Sequence, residues 1–99
     1  MPRFKIAHLR EVDSNGQEVQ LIVVPLDKSF GHKTPQAQQE AVNELQLRAG
    51  AANLRGTVCP VWEDGGGRMK FIAPQPWFPY LRSLDLLLVQ GLLNRELFW

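Results

Sequence analysis

The stretch VQLIVVPL (residues 19–26) decides the fold, because it is almost entirely apolar and rich in β-branched side chains. Such a run predicts a strand that is covered on both faces. On its N-terminal side, residues 3–11 alternate in a strand-like way. Asn15-Gly16 lies between the two runs and is a strong hairpin signal, since both residues accept positive φ. Residues 3–26 are therefore predicted to form a β-hairpin.

Downstream of this strand, a polar loop leads into a predicted helix. Thr34 supplies an N-cap and Pro35 the first helical position, and the residues that follow, to position 52, are rich in helix formers. TVCPVW (57–62) predicts a third strand, in which Pro60 indicates an edge position or a bulge because proline cannot donate to the ladder. If the strands before and after the helix share a sheet, they run parallel through a right-handed crossover.

The remaining segments complete an α+β pattern. RMKFIA (68–73) predicts a fourth strand, and a final helix is predicted from about Pro79 or Ser83 to near the C-terminus. The order β-β-α-β-β-α predicts a four-stranded, mostly antiparallel sheet packed with two helices. A chain of 99 residues corresponds to one globular domain, residues 1–99.

Composition narrows the class of partner. The formal net charge is +1, from 11 basic and 10 acidic residues, which argues against nucleic acid as the main partner. The single cysteine, Cys59, excludes an internal disulfide and suits a reducing compartment. The N-terminus lacks the apolar core of a signal peptide, and the most apolar C-terminal stretch is shorter than the ~20 residues of a membrane span. We therefore expect a cytoplasmic protein with no membrane partner.

The parallel crossover would bring two polar connections to one edge of the sheet, beside a helix N-terminus that favours anions. The candidate ligand-binding residues at this 27–33/63–68 rim are Asp27, Lys28, Ser29, His32, Lys33, Glu63, Asp64, Gly65, Gly66, Gly67 and Arg68. The triple glycine has two interpretations. It is either a hairpin loop that needs positive φ, or a concavity whose backbone N–H groups bind a small anion. Its spacing matches neither a Walker motif nor a dinucleotide fingerprint.

Catalytic chemistry has little support in the sequence. Ser29 and His32 would need to lie within hydrogen-bond reach, with an acidic residue orienting the base; otherwise they are solvated loop residues. Cys59, among valines, has the pattern of a buried hydrophobe, and would be a reactive thiol only beside a cation such as Arg68. The histidines and the cysteine have no metal-ligand spacing. No catalytic residue, metal or cofactor is therefore assigned.

The predicted C-terminal helix has no clean polar face, so part of its apolar surface would be exposed unless a partner covers it. A symmetric homodimer is the commonest cover. The predicted interface residues are Leu86, Val89, Leu93, Leu97, Phe98 and Trp99. Alternatively, the helix packs across the sheet and meets PWFPY (76–80) of its own chain. The aromatics of that segment have only Arg82 nearby, which favours a core lid or interface over base stacking.

Four segments carry a resemblance: PRFKIAHLRE (2–11), VVPLDKSFGHK (23–33), GTVCPVWEDGGGRMKFIAPQPW (56–77) and NRELFW (94–99). Together they resemble a group of small uncharacterised bacterial proteins, some of which travel on mobile DNA. The resemblance covers nearly the whole chain. It implies a bacterial cytoplasmic origin and no known activity, so it carries over no catalytic residues.

Three functional hypotheses result. The first is a non-enzymatic interaction module, dimeric through the C-terminal helix, that recognises a protein or a small anionic ligand at the rim. The second is a small hydrolase or transferase using Ser29 or His32 with Arg68, which requires His32 to hydrogen-bond Ser29 or an acidic partner inside a concavity. The third, weak nucleic-acid binding, requires a continuous basic strip from Arg3, Lys5, Arg10, Lys70 and Arg82.

Overall fold

The computed structural model describes residues 3–12 and 15–98, and it shows a five-stranded mixed sheet with helices on both faces. The strands are β1 (Arg3–Val12), β2 (Glu18–Pro25), β3 (Thr57–Glu63), β4 (Met69–Phe71) and β5 (Arg95–Phe98), in the order β4-β3-β2-β1-β5. The α-helices are α1 (Pro35–Ala51), α2 (Phe78–Arg82) and α3 (Leu86–Leu92). Two 3-10 helices cover Lys28–His32 and Gln75–Trp77. The α+β class is confirmed, but the described residues contain one strand and one α-helix more than predicted.

The central strand β2 is buried on both faces, as its composition predicts. Leu21 and Val23 pack into the core under α2 and α3, while Ile22 and Val24 pack into the core under α1. All four side chains are fully buried, and each contributes about 1.5–3 kcal/mol relative to an exposed position. β1 pairs antiparallel with β2, so the hairpin prediction is confirmed.

The crossover through α1 is also confirmed, because β2 and β3 pair in parallel, with Val23 opposite Cys59. The helix begins as its caps predict. The Thr34 hydroxyl accepts a hydrogen bond of 3.1 Å from the Ala37 N–H, and Pro35 occupies the first turn. Leu45 and Ala49 then bury one face of α1 against the sheet.

The prediction that Pro60 marks an edge strand is wrong, because β3 lies between β2 and β4. The backbone nitrogen and the carbonyl oxygen of one strand residue point toward the same neighbouring strand. The Pro60 oxygen accepts a hydrogen bond of 3.1 Å from the Ile72 N–H, so its nitrogen also faces the β4 side. β4 ends at Phe71, and the N–H that Pro60 lacks therefore falls just beyond that strand.

The predicted helix to the C-terminus is wrong beyond Leu92. The Asp85 carboxylate caps α3 by accepting a hydrogen bond of 2.7 Å from the Leu88 N–H, and the helix ends at Leu92. Residues 95–98 instead form β5 on the free edge of β1, with Leu97 opposite Phe4. This pairing buries Leu97 in the α1-side core, while the backbone of β1 gains hydrogen-bond partners that would otherwise be water.

We expect Gly56→Ala to destabilise the fold by about 1–3 kcal/mol, because it forces a side chain into a sparsely populated conformation. Gly56 has φ +131°, and a Cβ there would lie 2.6 Å from the Gln20 carbonyl oxygen. Gly50→Ala is the matched control. It lies in α1 with open space around its Cβ position and should stabilise by about 0.5–1 kcal/mol. Urea unfolding measures both values, and equal effects of the two substitutions would contradict the close approach at Gly56.

Candidate functional site

The two connections of the predicted rim are neighbours in space. β2 and β3 end at the same edge of the sheet, where the Leu26 N–H donates to the Val61 oxygen at 2.8 Å. The 3-10 helix after β2 packs beside β3, and the Phe30 ring meets the Trp62 ring edge-to-face at a centroid distance of 4.8 Å. A Cβ on Gly31 would come within 2.8 Å of Trp62 Nε1, so only glycine fits there without a shift.

The Phe30–Trp62 pair separates the predicted site into two cavities. Trp62 lines one of about 250 Å³, here named the rim cavity, and Phe30 lines one of about 300 Å³, here named the α1 cleft. The rim cavity is formed by Lys28, Gly31, His32, Trp62, Glu63, Asp64, Gly65 and Lys70. The α1 cleft is formed by Phe4, Leu26, Asp27, Ser29, Phe30, Lys33, Ala41, Glu44 and Leu45.

The structure therefore divides the candidate residues into three groups. Lys28, His32, Glu63, Asp64 and Gly65 line the rim cavity; Asp27, Ser29 and Lys33 line the α1 cleft; Gly66, Gly67 and Arg68 line neither. Sequence reasoning missed Trp62 and Lys70. They are register partners across β3 and β4, so a hairpin register drawn from the glycine turn could have placed them together.

The triple glycine forms a turn whose hydrogen bonds are supplied by the turn itself. Asp64 Oδ1 accepts from the Gly66 N–H at 2.7 Å and from the Arg68 N–H at 3.3 Å, while the Asp64 N–H donates to the Arg68 oxygen at 3.0 Å. Gly65 and Gly67 have φ of 92° and 83°, which favours glycine. Two of the N–H groups that a bound anion could use, those of Gly66 and Arg68, are therefore already occupied by Asp64. This geometry supports the hairpin-loop interpretation.

The same hydrogen bonds shift the acidity of Asp64. The Gly66 N–H, followed by the Arg68 N–H and the positive charges of Lys70 and Arg68, lowers the pKa of the Asp64 carboxyl below its ordinary value. Because hydrogen bonds stabilise the ionised form, the turn is held together by a carboxylate. One oxygen of Asp64, Oδ1, is thereby committed to the turn.

Ser29 and His32 do not form the pair that the hydrolase hypothesis requires. The Asp27 carboxylate caps the 3-10 helix, accepting from the Ser29 N–H at 3.1 Å, and hydrogen bonds from the Ser29 side chain and backbone lower the Asp27 pKa. Ser29 lines the α1 cleft, whereas His32 lines the rim cavity. Within the described residues, no hydrogen bond joins the His32 ring to Ser29 or to an acidic side chain.

Cys59 behaves as the buried hydrophobe that the sequence predicts. Its side chain is fully buried in the core under α2 and α3, and burial raises the pKa of the thiol to about 12. A thiol with that pKa is protonated at neutral pH, and the thiolate is the nucleophilic form. Burial and the raised pKa therefore favour a structural role for Cys59 over a reactive one.

The predicted interface residues of the last helix are mostly committed to the core of their own chain. Val89 and Leu97 are buried, and Leu86 and Leu93 are half-buried against the sheet. Trp99 and the side chain of Phe98 lie outside the described part of the chain. α3 packs in the same core as Trp77 and Tyr80, which is the alternative arrangement considered from the sequence.

A different face of α3 is exposed. Leu87, Leu88 and Leu92 are 82%, 51% and 38% exposed, respectively. With Gly91, which lies on the same side, they form what is here named the α3 leucine face. An interface through this helix would therefore use these residues and not Val89 or Leu97, because a side chain buried in its own core cannot contact a second molecule.

The basic residues considered for nucleic-acid binding do not form one strip. Lys5 and Arg10 differ by an odd number of positions in β1, so they point to opposite faces of the sheet. Arg10 Nε lies 3.8 Å from Glu18 Oε1 in an ion pair, and the Arg82 guanidinium group lies over the Phe78 ring. The neighbouring aromatics are also engaged, since the Tyr80 hydroxyl donates to Glu11 at 2.8 Å and its ring contacts Trp77. The core-lid interpretation fits this segment.

Comparisons with known proteins leave the function to be argued from these contacts. No family model matches the chain, and no curated protein and no solved structure matches it. The resemblance to small bacterial proteins, some of them on mobile DNA, therefore stays a prediction. Among the described residues, no three His, Cys, Asp or Glu side chains are grouped to hold a metal ion, and no helix there has the length and apolarity to cross a membrane.

We expect Asp64→Ala to loosen the glycine turn without unfolding the protein, because it removes the acceptor for the Gly66 and Arg68 N–H groups. Amide hydrogen exchange at both positions should accelerate. Glu63→Ala, an exposed neighbour at the end of β3, is the control and should leave both rates unchanged. Asp64→Asn keeps one oxygen acceptor and should fall between wild type and alanine. Unchanged exchange in Asp64→Ala would contradict the proposed turn geometry.

The titration of the Asp64 carboxyl should also be observable at the glycine turn. Because the Asp64 pKa is lowered in the folded state, its stabilising contribution is complete above the ordinary value of 3.8 and is lost as the pH falls through the folded pKa. We expect the Gly66 amide resonance to titrate with a midpoint below 3.8. A midpoint at or above that value would show that the N–H groups do not stabilise the carboxylate.

Proposed function

We propose that this protein is a non-enzymatic interaction module that self-associates as a homodimer through the α3 leucine face. The observation that carries the proposal is the exposure of three leucines on one short helix, with Leu87 82% exposed. Exposed apolar side chains that cluster on one element mark interaction surfaces, whereas singly scattered ones do not. Burying a fully exposed leucine side chain contributes about 1.5–3 kcal/mol. Because Leu88 and Leu92 are already partly covered in the monomer, each would contribute only a fraction of that to association.

A second copy of the chain is the occupant that this face fits best. No residue of α3 carries a charge. In a two-fold symmetric dimer each surface meets itself, so a charged face would bring like charges together, whereas an uncharged one does not. The leucine face is self-complementary in this sense.

Gly91 supports the same arrangement. It costs about 1 kcal/mol of helix propensity relative to alanine. No close contact within its own chain requires glycine at this position. Apart from the adjacent residues and the helix backbone, no atom lies within 4 Å of where the Gly91 Cβ would be. At about 100° per residue, Gly91 falls between Leu87 and Leu88 around the helix. A glycine at the centre of an apolar face lets a second helix approach closely.

The expected association is weak. α3 has seven residues and is therefore about 10 Å long. A helix of that length cannot by itself bury the roughly 1,600 Å² of a standard stable interface. We therefore propose a dimer that forms in a concentration-dependent way and exchanges with monomer.

The wider elements of the proposal rest on other observations. Recognition of a protein or small anionic ligand at the rim is supported by Lys28 and Lys70, whose side chains line one cavity. A cytoplasmic location is supported by the single cysteine and the absence of any possible internal disulfide. The hydrolase and nucleic-acid alternatives stay predictions, and neither the Ser29–His32 pair nor the continuous basic strip that they need is present among the described residues.

We expect Leu87→Glu to abolish self-association, because a symmetric interface would then bury two like charges with no partner. The measurement is sedimentation velocity over a series of protein concentrations. Wild type should show a rising weight-average mass, and the variant a constant monomer mass. Since Leu87 is largely exposed, the variant should keep the wild-type melting temperature of the monomer.

The matched control is Leu47→Glu, which places the same charge at a leucine of α1 that is 70% exposed. It should associate as wild type does. If wild type stays monomeric at the highest accessible concentration, the proposed function is overturned. If Leu47→Glu and Leu87→Glu dissociate equally, the interface does not lie on α3.

A further inference from the structure

We propose that the α1 cleft is a binding site for a small amphipathic carboxylate, an unbranched apolar chain with one anionic head group held by Lys33. The site is independent of the proposed dimer. It lies on the α1 side of the sheet, whereas the α3 leucine face belongs to the helix that packs on the opposite side.

The shape and lining of the cleft are those of a small-molecule site. Its volume is about 300 Å³, at the lower end of the range for such sites. The aromatic rings of Phe4 and Phe30 and the aliphatic side chains of Leu26 and Leu45 line it. Mostly apolar walls with a few polar groups at the edge are typical of ligand pockets, because burial gives affinity and the polar groups fix orientation. An apolar chain of limited length fits this lining.

The walls of the cleft are held in place before any ligand binds. The Gln38 side chain on α1 donates to the Phe30 oxygen at 3.0 Å, which ties the 3-10 helix to α1. On its other side, Phe30 is fixed by the edge-to-face contact with Trp62. A preformed site loses little conformational entropy on binding. Ala41, the smallest residue of the lining, leaves room where a longer side chain would fill the cleft.

The charged groups at the cleft favour an anionic head. The Asp27 carboxylate accepts hydrogen bonds from Ser29 and is also stabilised by the positive charge of Lys28, while the Glu44 carboxylate lies 2.9 Å from Arg48 Nε in an ion pair along α1. Each acidic group therefore has a positive charge of its own chain beside it. Lys33 is exposed, and its ammonium group forms no ion pair with any residue in the described part of the chain. Lys33 is therefore the charged group of the lining that has no opposite charge beside it, and a carboxylate complements it.

Octanoate is the probe for this proposal, used with the full-length protein. We expect saturable binding by isothermal titration, with amide shifts confined to the neighbourhood of Leu26, Phe30 and Ala41. Ala41→Leu, which fills the cleft, should weaken binding more than about tenfold. Ala51→Leu, at the exposed C-terminal end of the same helix, is the control and should bind as wild type does.

Lys33→Gln tests the head group without touching the core. It should weaken octanoate about fivefold, the effect of one exposed charge, and leave the binding of octan-1-ol unchanged. This variant decides the question even if Ala41→Leu fails to fold, which circular dichroism would show.

Four outcomes would overturn the proposal: no saturable binding of octanoate to wild type, unchanged octanoate binding in a folded Ala41→Leu variant, unchanged octanoate binding in Lys33→Gln, or tighter binding of octylamine than of octanoate. None of them depends on the mass of the protein in solution. A monomeric protein that binds octanoate, or a dimer that does not, would therefore separate this inference from the proposed self-association through α3.

Discussion

The burial of β2 on both faces is the constraint from which the rest of the structure follows. Leu21, Ile22, Val23 and Val24 exclude water on both sides, so both faces of the sheet must be covered. α1 covers one face, and the C-terminal helices cover the other. A chain of 99 residues achieves this only by using nearly every segment, which leaves short helices and short outer strands.

The crossover from β2 to β3 also determines where ligands can bind. Since both strands end at one edge, the two connections meet there, and the contact between Phe30 and Trp62 divides the space between them. The rim cavity is lined mostly by charged and polar residues around the Trp62 ring, and the α1 cleft is mostly apolar with charged groups at its edge. Within the glycine turn, Asp64 already occupies the Gly66 and Arg68 N–H groups, so these two donors are not available to a ligand. The side chains that line the two cavities are therefore the main candidates for recognition at this edge.

The C-terminal segment shows how a neighbouring edge overrides a local tendency to form helix. Asn94 donates from its amide nitrogen to the His8 oxygen at 3.0 Å and accepts from the His8 N–H at 2.8 Å, so it pairs with β1 through its side chain. β5 then continues that pairing, with Leu97 opposite Phe4. α3 is short because the chain leaves it to reach this edge. Leu87 is exposed because it lies on the side of α3 opposite the buried Val89.

The amino-acid sequence by itself determined the hairpin, the extent of α1 and the parallel crossover, because alternation, the Thr34-Pro35 cap and crossover geometry are local or general constraints. It also indicated that the rim connections would meet. Only the tertiary structure decided that residues 95–98 form a strand, that two cavities replace one site, and which leucines are exposed. These outcomes depend on contacts such as Leu97 with Phe4 and Trp62 with Phe30, between residues far apart in the chain. No local pattern encodes such partners, because packing selects them only after the sheet has formed.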